Sequence, residues 1–359
     1  MSLDVFRGFN IVLMLLVNNI ALDVYTPDQL MHGPWNQGMR IADLVFPWFL
    51  LCVGLSIPFA EAAAVKRGFT ERDLVRRIWK RGAVIFFWGL VLSSALEKKP
   101  VFTLGVLQLI ALAFVAGSFI CRLRPRTQAI LCGGLLVGYG LFASLTPFPG
   151  GPAFEEGANV FNWLNSLSFF EVTRLKGLTS VIPTAPLVVI GAWAAGVVRR
   201  EDLDFPEKLR WLVTRGAALM LAGALWNFWL PYNKPVWTPS YILMSGGLGL
   251  VVLAGFFAWF DGSWERHRSA QAEGARVWVY FGSNALLAYV LPILVKLLWF
   301  KAWTLPSPSG RAEMHAAALE WLKLWFGPIW GGSMYTAGYI GAFWLLFAWF
   351  YQRKLFLKA

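Results

Sequence analysis

The sequence has few charged residues and few cysteines. Of its 359 residues, 14% are Asp, Glu, Lys or Arg, whereas soluble domains carry about 25%. The three cysteines, Cys52, Cys121 and Cys132, lie in or beside apolar runs, and none forms a CxxC pair. They indicate neither a disulfide framework nor a zinc site. These shortages argue against a small disulfide-rich domain and against an ordinary soluble protein.

Short nucleotide-binding and nucleophile motifs are also missing. The sequence contains no GxxxxGK[ST], no GxGxxG after a strand and no G-x-S-x-G, so it lacks a P-loop, a Rossmann fingerprint and a hydrolase elbow. The net charge of +12 would favour nucleic-acid binding in a soluble protein. Here we attribute it to Lys and Arg in cytoplasmic loops and expect no nucleic-acid partner.

Apolar residues dominate instead. They make up 57% of the chain, which includes 20 Trp and 29 Phe, as expected of a protein whose solvent is lipid. A membrane crossing needs about 20 apolar residues, and ten runs reach or approach that length. We predict an all-α fold, a polytopic membrane helical bundle forming one domain over 1–359. The runs are 9–22, 44–64, 79–96, 101–121, 129–145, 179–198, 211–230, 239–260, 277–300 and 328–351.

Loop charge predicts the orientation. With both termini in the cytoplasm, 22 of the 32 Lys and Arg residues fall on the cytoplasmic side, as the positive-inside rule requires. The two long connections, 147–178 and 301–327, then lie on the outer side. Loops of this length are often functional lids or partly folded caps.

One face of the first apolar run is polar. Arg7, Asn10, Met14 and Asn18 are three or four residues apart, so they share one side of a helix. Such a stripe indicates either a tunnel through the membrane or a packing face whose amides bond neighbouring carbonyls. The spacing leaves both open.

Two residues beyond this run can carry acid–base chemistry. His32 lies in a short outer loop, and imidazole exchanges a proton near neutral pH. Asp43 precedes the second apolar run, where a carboxylate can cap the helix, orient His32 or bind an amine. A solvated loop histidine and a simple cap are the alternative interpretations.

Several segments resemble one enzyme family. SLDVFRGFNIVLMLLVNN, HGPWN and ADLVFPWFLLCVGLSI resemble the opening of the heparan-α-glucosaminide N-acetyltransferase family, within the transmembrane acyltransferase superfamily. Weaker similarities extend over nearly the whole chain. They are GVLQ (Gly105–Gln108), GLTSVIP, NKPVWTPSY (Asn233–Tyr241) and GSNALLAY (Gly282–Tyr289).

The resemblance implies transfer of an acetyl group from cytoplasmic acetyl-CoA to the amine of an amino sugar reached from the other side. It implies no metal. The catalytic residues it suggests are His32, Asn18 and Asp43. Together with the polar pattern it assigns CoA to Arg7, Asn10, Arg77, Arg81 and Gln108. Acceptor binding is assigned to Trp35, Asn233, Lys234 and Asn284.

The chain departs from the family pattern in three places. The interval from His32 to Asp43 is one residue longer than usual, and Leu109 stands where an arginine often follows GVLQ. The large luminal insertions of the lysosomal enzyme are missing, which favours a small glucosamine-type sugar and a bacterial inner-membrane protein. A homodimer is compatible with this interpretation. The alternatives are a sugar transporter or permease, an acetyl-CoA hydrolase and a membrane scaffold.

Overall fold

A computed structural model of the chain describes residues 1–146, 154–262 and 268–357. Most of the described residues are helical, and two short strands pair as one antiparallel hairpin. The elements are α1 (Ser2–Asn19), α2 (Ile41–Val65), α3 (Glu71–Glu97), α4 (Val106–Cys121), α5 (Pro125–Leu145), α6 (Val160–Ser166), α7 (Ser168–Thr173), α8 (Val181–Arg199), α9 (Phe205–Asn227), α10 (Pro239–Asp261), α11 (Arg268–Gly282), α12 (Ala285–Val295), β1 (Thr304–Ser307), β2 (Gly310–Glu313) and α13 (Met314–Gln352).

The helical fold class is confirmed, because every predicted apolar run overlaps a helix. Among the described residues, five helices are long and apolar enough to cross a membrane, and a bent pair raises this number to six. Another apolar helix, α4, has only 16 residues. Ten spans therefore go beyond what helix length and composition alone support.

The sequence suggested one helix over 277–300, but the structure has two. They are Glu273–Gly282 and Ala285–Phe300, which meet at an angle of 69°. The part after the break forms α12 and then a π-helical turn at Lys296–Phe300. One continuous helix over this run is therefore wrong, whereas the pair can still count as one broken span.

The two long connections that the sequence placed on the outer side contain folded structure. Residues 154–178 hold α6 and α7, whereas the first part of the predicted loop, 147–153, lies outside the described residues. The 301–327 connection holds the β hairpin and the first half of α13. This helix changes direction at Gly327, whose φ of 79° suits glycine, and Pro328 starts the second half.

Helices α2 and α8 pack with their backbones in direct contact in the interior. A Cβ on Gly54 would lie 1.9 Å from the Val188 carbonyl oxygen, and one on Gly191 would lie 2.2 Å from that of Leu51. Small residues allow backbones in membrane bundles to approach this closely. The contact fixes α2, which carries Asp43 in its first turn.

We expect Gly191→Ala to destabilise the protein by roughly 1–3 kcal/mol, because the added methyl group would overlap the α2 backbone. Gly196→Ala is the matched control in the same helix, since a Cβ there has open space around it. Thermal unfolding of the detergent-solubilised protein measures both. Equal melting temperatures for the two variants would contradict the close α2–α8 contact.

Candidate active site

The side chain of Asp43 organises the end of the bundle at which α2 begins. Asp43 is only 3% exposed. Its Oδ1 lies 3.0 Å from His32 Nδ1, and its Oδ2 accepts the backbone N–H groups of Gly33 at 3.0 Å and Arg40 at 3.1 Å. The carboxylate therefore stabilises the start of α2 and orients His32 at the same time, so the two roles considered from sequence occur together.

Lys234 completes a three-membered cluster, and we call His32, Asp43 and Lys234 the histidine cluster. Its Nζ is 3.3 Å from Asp43 Oδ1 and 3.0 Å from His32 Nδ1. The Asp43 carboxylate can accept a hydrogen bond from His32 Nδ1 only when Nδ1 carries a proton. The Lys234 ammonium can donate to Nδ1 only when Nδ1 has a free lone pair. Asp43 Oδ1 can accept from both neighbours, so all three groups are satisfied when Nδ1–H donates to Asp43. The lone pair of Nε2 is then free for chemistry.

The exposure of the cluster is uneven. The His32 side chain is 61% exposed, whereas that of Lys234 is 25% exposed. Burial lowers the pKa of Lys234 below its usual value, and the nearby Asp43 carboxylate opposes this shift. The imidazole thus faces open space while its two charged neighbours are anchored in the protein.

Tyr241 holds the backbone of Asp43, and sequence analysis did not identify it. Pro47 stands four residues after Asp43 and has no N–H, so the Asp43 carbonyl lacks its helical donor. The buried Tyr241 hydroxyl donates to this carbonyl instead. Pro47 in the sequence signals that a donor is needed, but only the fold supplies its identity.

Asn233 fixes the turn that carries Lys234. Its Nδ2 donates to Asn36 Oδ1 at 3.0 Å, and its Oδ1 accepts the N–H of Val236 at 3.2 Å. Asn233 is 2% exposed. The structure therefore brings Asn233 to the site but uses its amide within the protein. Trp35, next to Asn36, packs its ring 5.4 Å from that of Phe154.

A second group of predicted residues meets elsewhere. Arg7, Arg77 and Arg81 line one cavity of about 390 Å³, and we call this the arginine cavity. A neighbouring cavity of about 340 Å³ shares Arg77 and Arg81 with it, and another of about 590 Å³ shares Arg7. Sequence placed these residues on two separate segments, and the fold brings them together.

The charges in this cavity are only partly compensated. Arg7 pairs with Asp4 at 3.0 Å. Arg81 donates to Ser56 Oγ at 3.1 Å and lies over the Phe114 ring. Within the described parts of the chain, neither Arg77 nor Arg81 has a carboxylate partner, and Arg81 Nε is buried without an acceptor. Such a set of guanidinium groups suits an anionic ligand, above all phosphate.

The arginine cavity and the histidine cluster lie along α2. Ser56 lines the cavity and Asp43 precedes it on the same helix, which corresponds to about 20 Å at the rise of an α-helix. The cavity extends along α2 as far as Phe49, about 9 Å short of Asp43 by the same measure. Phe49 packs edge-on against Tyr289 there, with ring centroids 5.9 Å apart.

The polar stripe on α1 is mostly a packing face. Asn10 and Met14 are 0% and 3% exposed. Asn10 Nδ2 donates to the Val45 carbonyl at 3.1 Å, and its Oδ1 has no partner among the described residues. Asn18 is exposed, and its amide makes no hydrogen bond within the described part of the chain. A tunnel lined by this face is therefore wrong, and of the stripe only Arg7 lines the arginine cavity.

Two further assignments need correction. Gln108 is 1% exposed and donates to Ser93 Oγ at 3.1 Å between α3 and α4, away from the cavity wall. Asn284 was expected near the acceptor. The nearby Gly282 accepts a hydrogen bond from Arg7 through its backbone carbonyl. The side-chain amide of Asn284 bonds the backbone of Leu355 and Leu357. Asn284 therefore lies at the end of the bundle opposite His32 and holds the C-terminal segment.

Fold and site together define a helical membrane protein with a histidine–carboxylate pair near one end and a cationic cavity near the other. In the part of the chain that the structure describes, no group of His, Cys, Asp or Glu could hold a metal ion. The chain belongs to the family described as heparan-alpha-glucosaminide N-acetyltransferase, catalytic, whose model matches residues 1–228. The resemblance noted in the sequence is thereby confirmed, and the family is one of acyltransferases.

Two relatives are similar over about a quarter of this chain. The human heparan-alpha-glucosaminide N-acetyltransferase is 32% identical over 93 residues, which is 26% of this chain and 13% of the human protein. The mouse protein of the same name is 33% identical over 91 residues, which is 25% of this chain and 13% of that protein. The matched parts thus cover a small fraction of these longer relatives.

We predict that Asp43→Asn lowers the free energy of unfolding by about 3–5 kcal/mol, since it leaves the half-buried Lys234 without its counter-ion. The double variant Asp43→Asn/Lys234→Met should be more stable than Asp43→Asn alone, because it removes the orphaned charge. Thermal melts of the wild type, Asp43→Asn, Lys234→Met and the double variant measure the coupling energy between the two side chains. Strictly additive losses would show that the two side chains do not interact.

Proposed function

We propose that this protein transfers an acetyl group from acetyl-CoA to the amine of a small amino sugar across the membrane. The observation that carries the proposal is the division of the site: three arginines meet in one cavity, and an oriented histidine lies about 20 Å away along α2. Family membership supplies the reaction class. The chemistry at each end fits one of the two substrates.

Acetyl-CoA would enter at the arginine cavity. Its phosphates are the anions that Arg7, Arg77 and Arg81 can bind through paired N–H groups. The acetyl-bearing arm would extend along α2, past Phe49 and Tyr289, toward Asp43. Asn18, exposed and without an internal partner, is our proposed donor to the thioester oxygen.

At the histidine cluster, Nε2 of His32 would remove a proton from the acceptor amine as the amine nitrogen attacks the acetyl carbon. The C–S bond then breaks, and the CoA thiolate leaves with the proton that His32 returns. Asp43 keeps Nδ1 protonated and aligned. The Lys234 ammonium disfavours a second cation nearby, so the acceptor amine binds in its neutral, nucleophilic form.

The membrane arrangement follows from the charge distribution. With the N-terminus in the cytoplasm, Arg7, Arg77 and Arg81 face the cytoplasmic pool of acetyl-CoA, and His32 faces the periplasm of a bacterial inner membrane. We propose ten crossings, formed by α1–α5, α8–α10, the broken pair α11–α12 and the second half of α13.

A second candidate activity is hydrolysis of acetyl-CoA. The 61% exposure of the His32 side chain supports it, because water could reach Nε2 in place of an amine. Release of CoA without any acceptor would favour this activity, whereas release that depends on glucosamine favours transfer.

We expect His32→Ala to reduce acetyl transfer by about 10²–10⁴-fold, because the general base is lost. Since the His32 side chain bonds only Asp43 and Lys234 among the described residues, the variant should fold and still bind CoA. His315→Ala is the control, because His315 lies in another part of the fold, at the start of α13. Acetylation of glucosamine and calorimetric titration with CoA test the pair, and unchanged turnover in His32→Ala would remove this mechanism.

We expect Arg77→Ala to raise the KM for acetyl-CoA by roughly 10-fold or more, since a charge-assisted hydrogen bond contributes about 1.5–3 kcal/mol. The acceptor KM should not change. Arg76→Ala is the matched control, because Arg76 neighbours Arg77 on α3 but does not line the cavity. Steady-state kinetics in each substrate separates the effects. A rise in KM of the same size in both variants would indicate general surface attraction and not a binding site.

A further inference from the structure

A polar pocket lies beside the histidine cluster and has no role in the mechanism so far. It has a volume of about 240 Å³. One wall is Trp35, three residues after His32, and another is Pro235, which follows Lys234 directly. The pocket therefore adjoins both loops that build the cluster. The rest of the wall comes from α5, from α6 and its preceding turn, and from the segment before α8.

The floor of the pocket is rigid and aromatic. The rings of Tyr139 and Phe161 stack with centroids 4.8 Å apart and an interplanar angle of 20°. Both residues are 4% exposed, and the Tyr139 hydroxyl donates to the Val236 carbonyl at 2.9 Å. Trp35 packs against the same small hydrophobic cluster. The aromatic surface is thus held in place by packing and by a hydrogen bond.

The rim of the pocket offers polar groups that the protein does not use. The side chains of Asn162 and Glu156 line it and make no hydrogen bond within the described residues. Asn165 uses its Oδ1 to accept the N–H of Gly177 at 2.9 Å, which leaves its Nδ2 donor available. An amide donates and accepts and a carboxylate only accepts, so the rim can satisfy several hydroxyl groups at once.

We propose that this pocket binds the pyranose ring of the amino-sugar acceptor. The C–H face of a pyranose is apolar and suits an aromatic surface, whereas its hydroxyl groups need the amides and carboxylate of the rim. The inference rests on the proposed function and adds the residues that select the acceptor. They are Trp35, Glu156, Asn162 and Asn165.

The size of the pocket narrows the substrate class. Pockets for drug-sized ligands occupy about 300–1,000 Å³, so 240 Å³ suits one sugar ring. A ring held there would lie against Trp35 and Pro235, which belong to the two loops that build the histidine cluster. A free amino sugar or a single terminal residue fits this geometry, and a polymer would have to extend out of the pocket.

Two variants test the pocket without removing a hydrogen bond that the fold uses. Asn162→Ala deletes an exposed amide, because it is the backbone N–H of Asn162 that bonds the capping Asn159. Asn165→Asp keeps the oxygen that accepts from Gly177 and loses the donor. Ser166→Ala is the control, since among the described residues the Ser166 hydroxyl bonds only Trp163 of the same helix, and Ser166 does not line the pocket.

Each pocket variant should raise the KM for glucosamine about tenfold, the effect of losing one good hydrogen bond. Its kcat and its KM for acetyl-CoA should stay within about twofold of wild type, and Ser166→Ala should match wild type throughout. In a His32→Ala background, calorimetric titration with glucosamine should give the same tenfold loss of affinity.

The outcomes separate the two proposals. If wild-type protein acetylates glucosamine and both pocket variants keep its KM, the pocket assignment is overturned and the proposed function stands. If wild-type protein neither binds nor acetylates glucosamine, the acceptor class fails and the pocket assignment with it. If glucosamine binds with the expected losses but is not acetylated, the pocket stands and the proposed reaction fails.

Discussion

The need to satisfy one buried carboxylate shapes the whole of the site near His32. An ionised Asp43 that is 3% exposed would be very unfavourable without partners. It obtains them from the loop after α1, from the residue just before α2 and from the turn before α10. Because each of these segments must meet the same two oxygens, the loop geometry that aligns His32 follows from the burial of Asp43.

The same constraint extends into the helices. Pro47, in the second turn of α2, deprives the Asp43 carbonyl of its helical donor, and Tyr241 on α10 supplies one. The α2 helix is in turn held against α8 by two glycines that permit backbone contact. The position of the imidazole thus depends on helix packing deep in the bundle and not only on its own loop.

The arginine cavity follows a different physical rule. The packing of α1, α3 and α12 keeps three guanidinium groups near one another, of which only Arg7 has a carboxylate partner among the described residues, and an anionic ligand would relieve their repulsion. The aromatic pair Phe49 and Tyr289 marks the inner limit of this cavity. Between it and Asp43 lies the stretch of α2 along which an acyl group would have to travel.

Sequence by itself determined the helical class, the apolar runs, the family and the candidate site residues His32, Asp43 and Lys234. The helical class and the apolar runs depend on composition and local spacing, whereas the family and the candidate residues depend on the resemblance of short motifs. Only the tertiary structure decided which polar residues face a cavity. Asn10, Gln108 and Asn284 look similar to active-site residues in sequence, yet their amides bond neighbouring segments. Tyr241 and the pocket beside Trp35 likewise could not be predicted from the sequence, because both depend on packing between segments far apart in the chain.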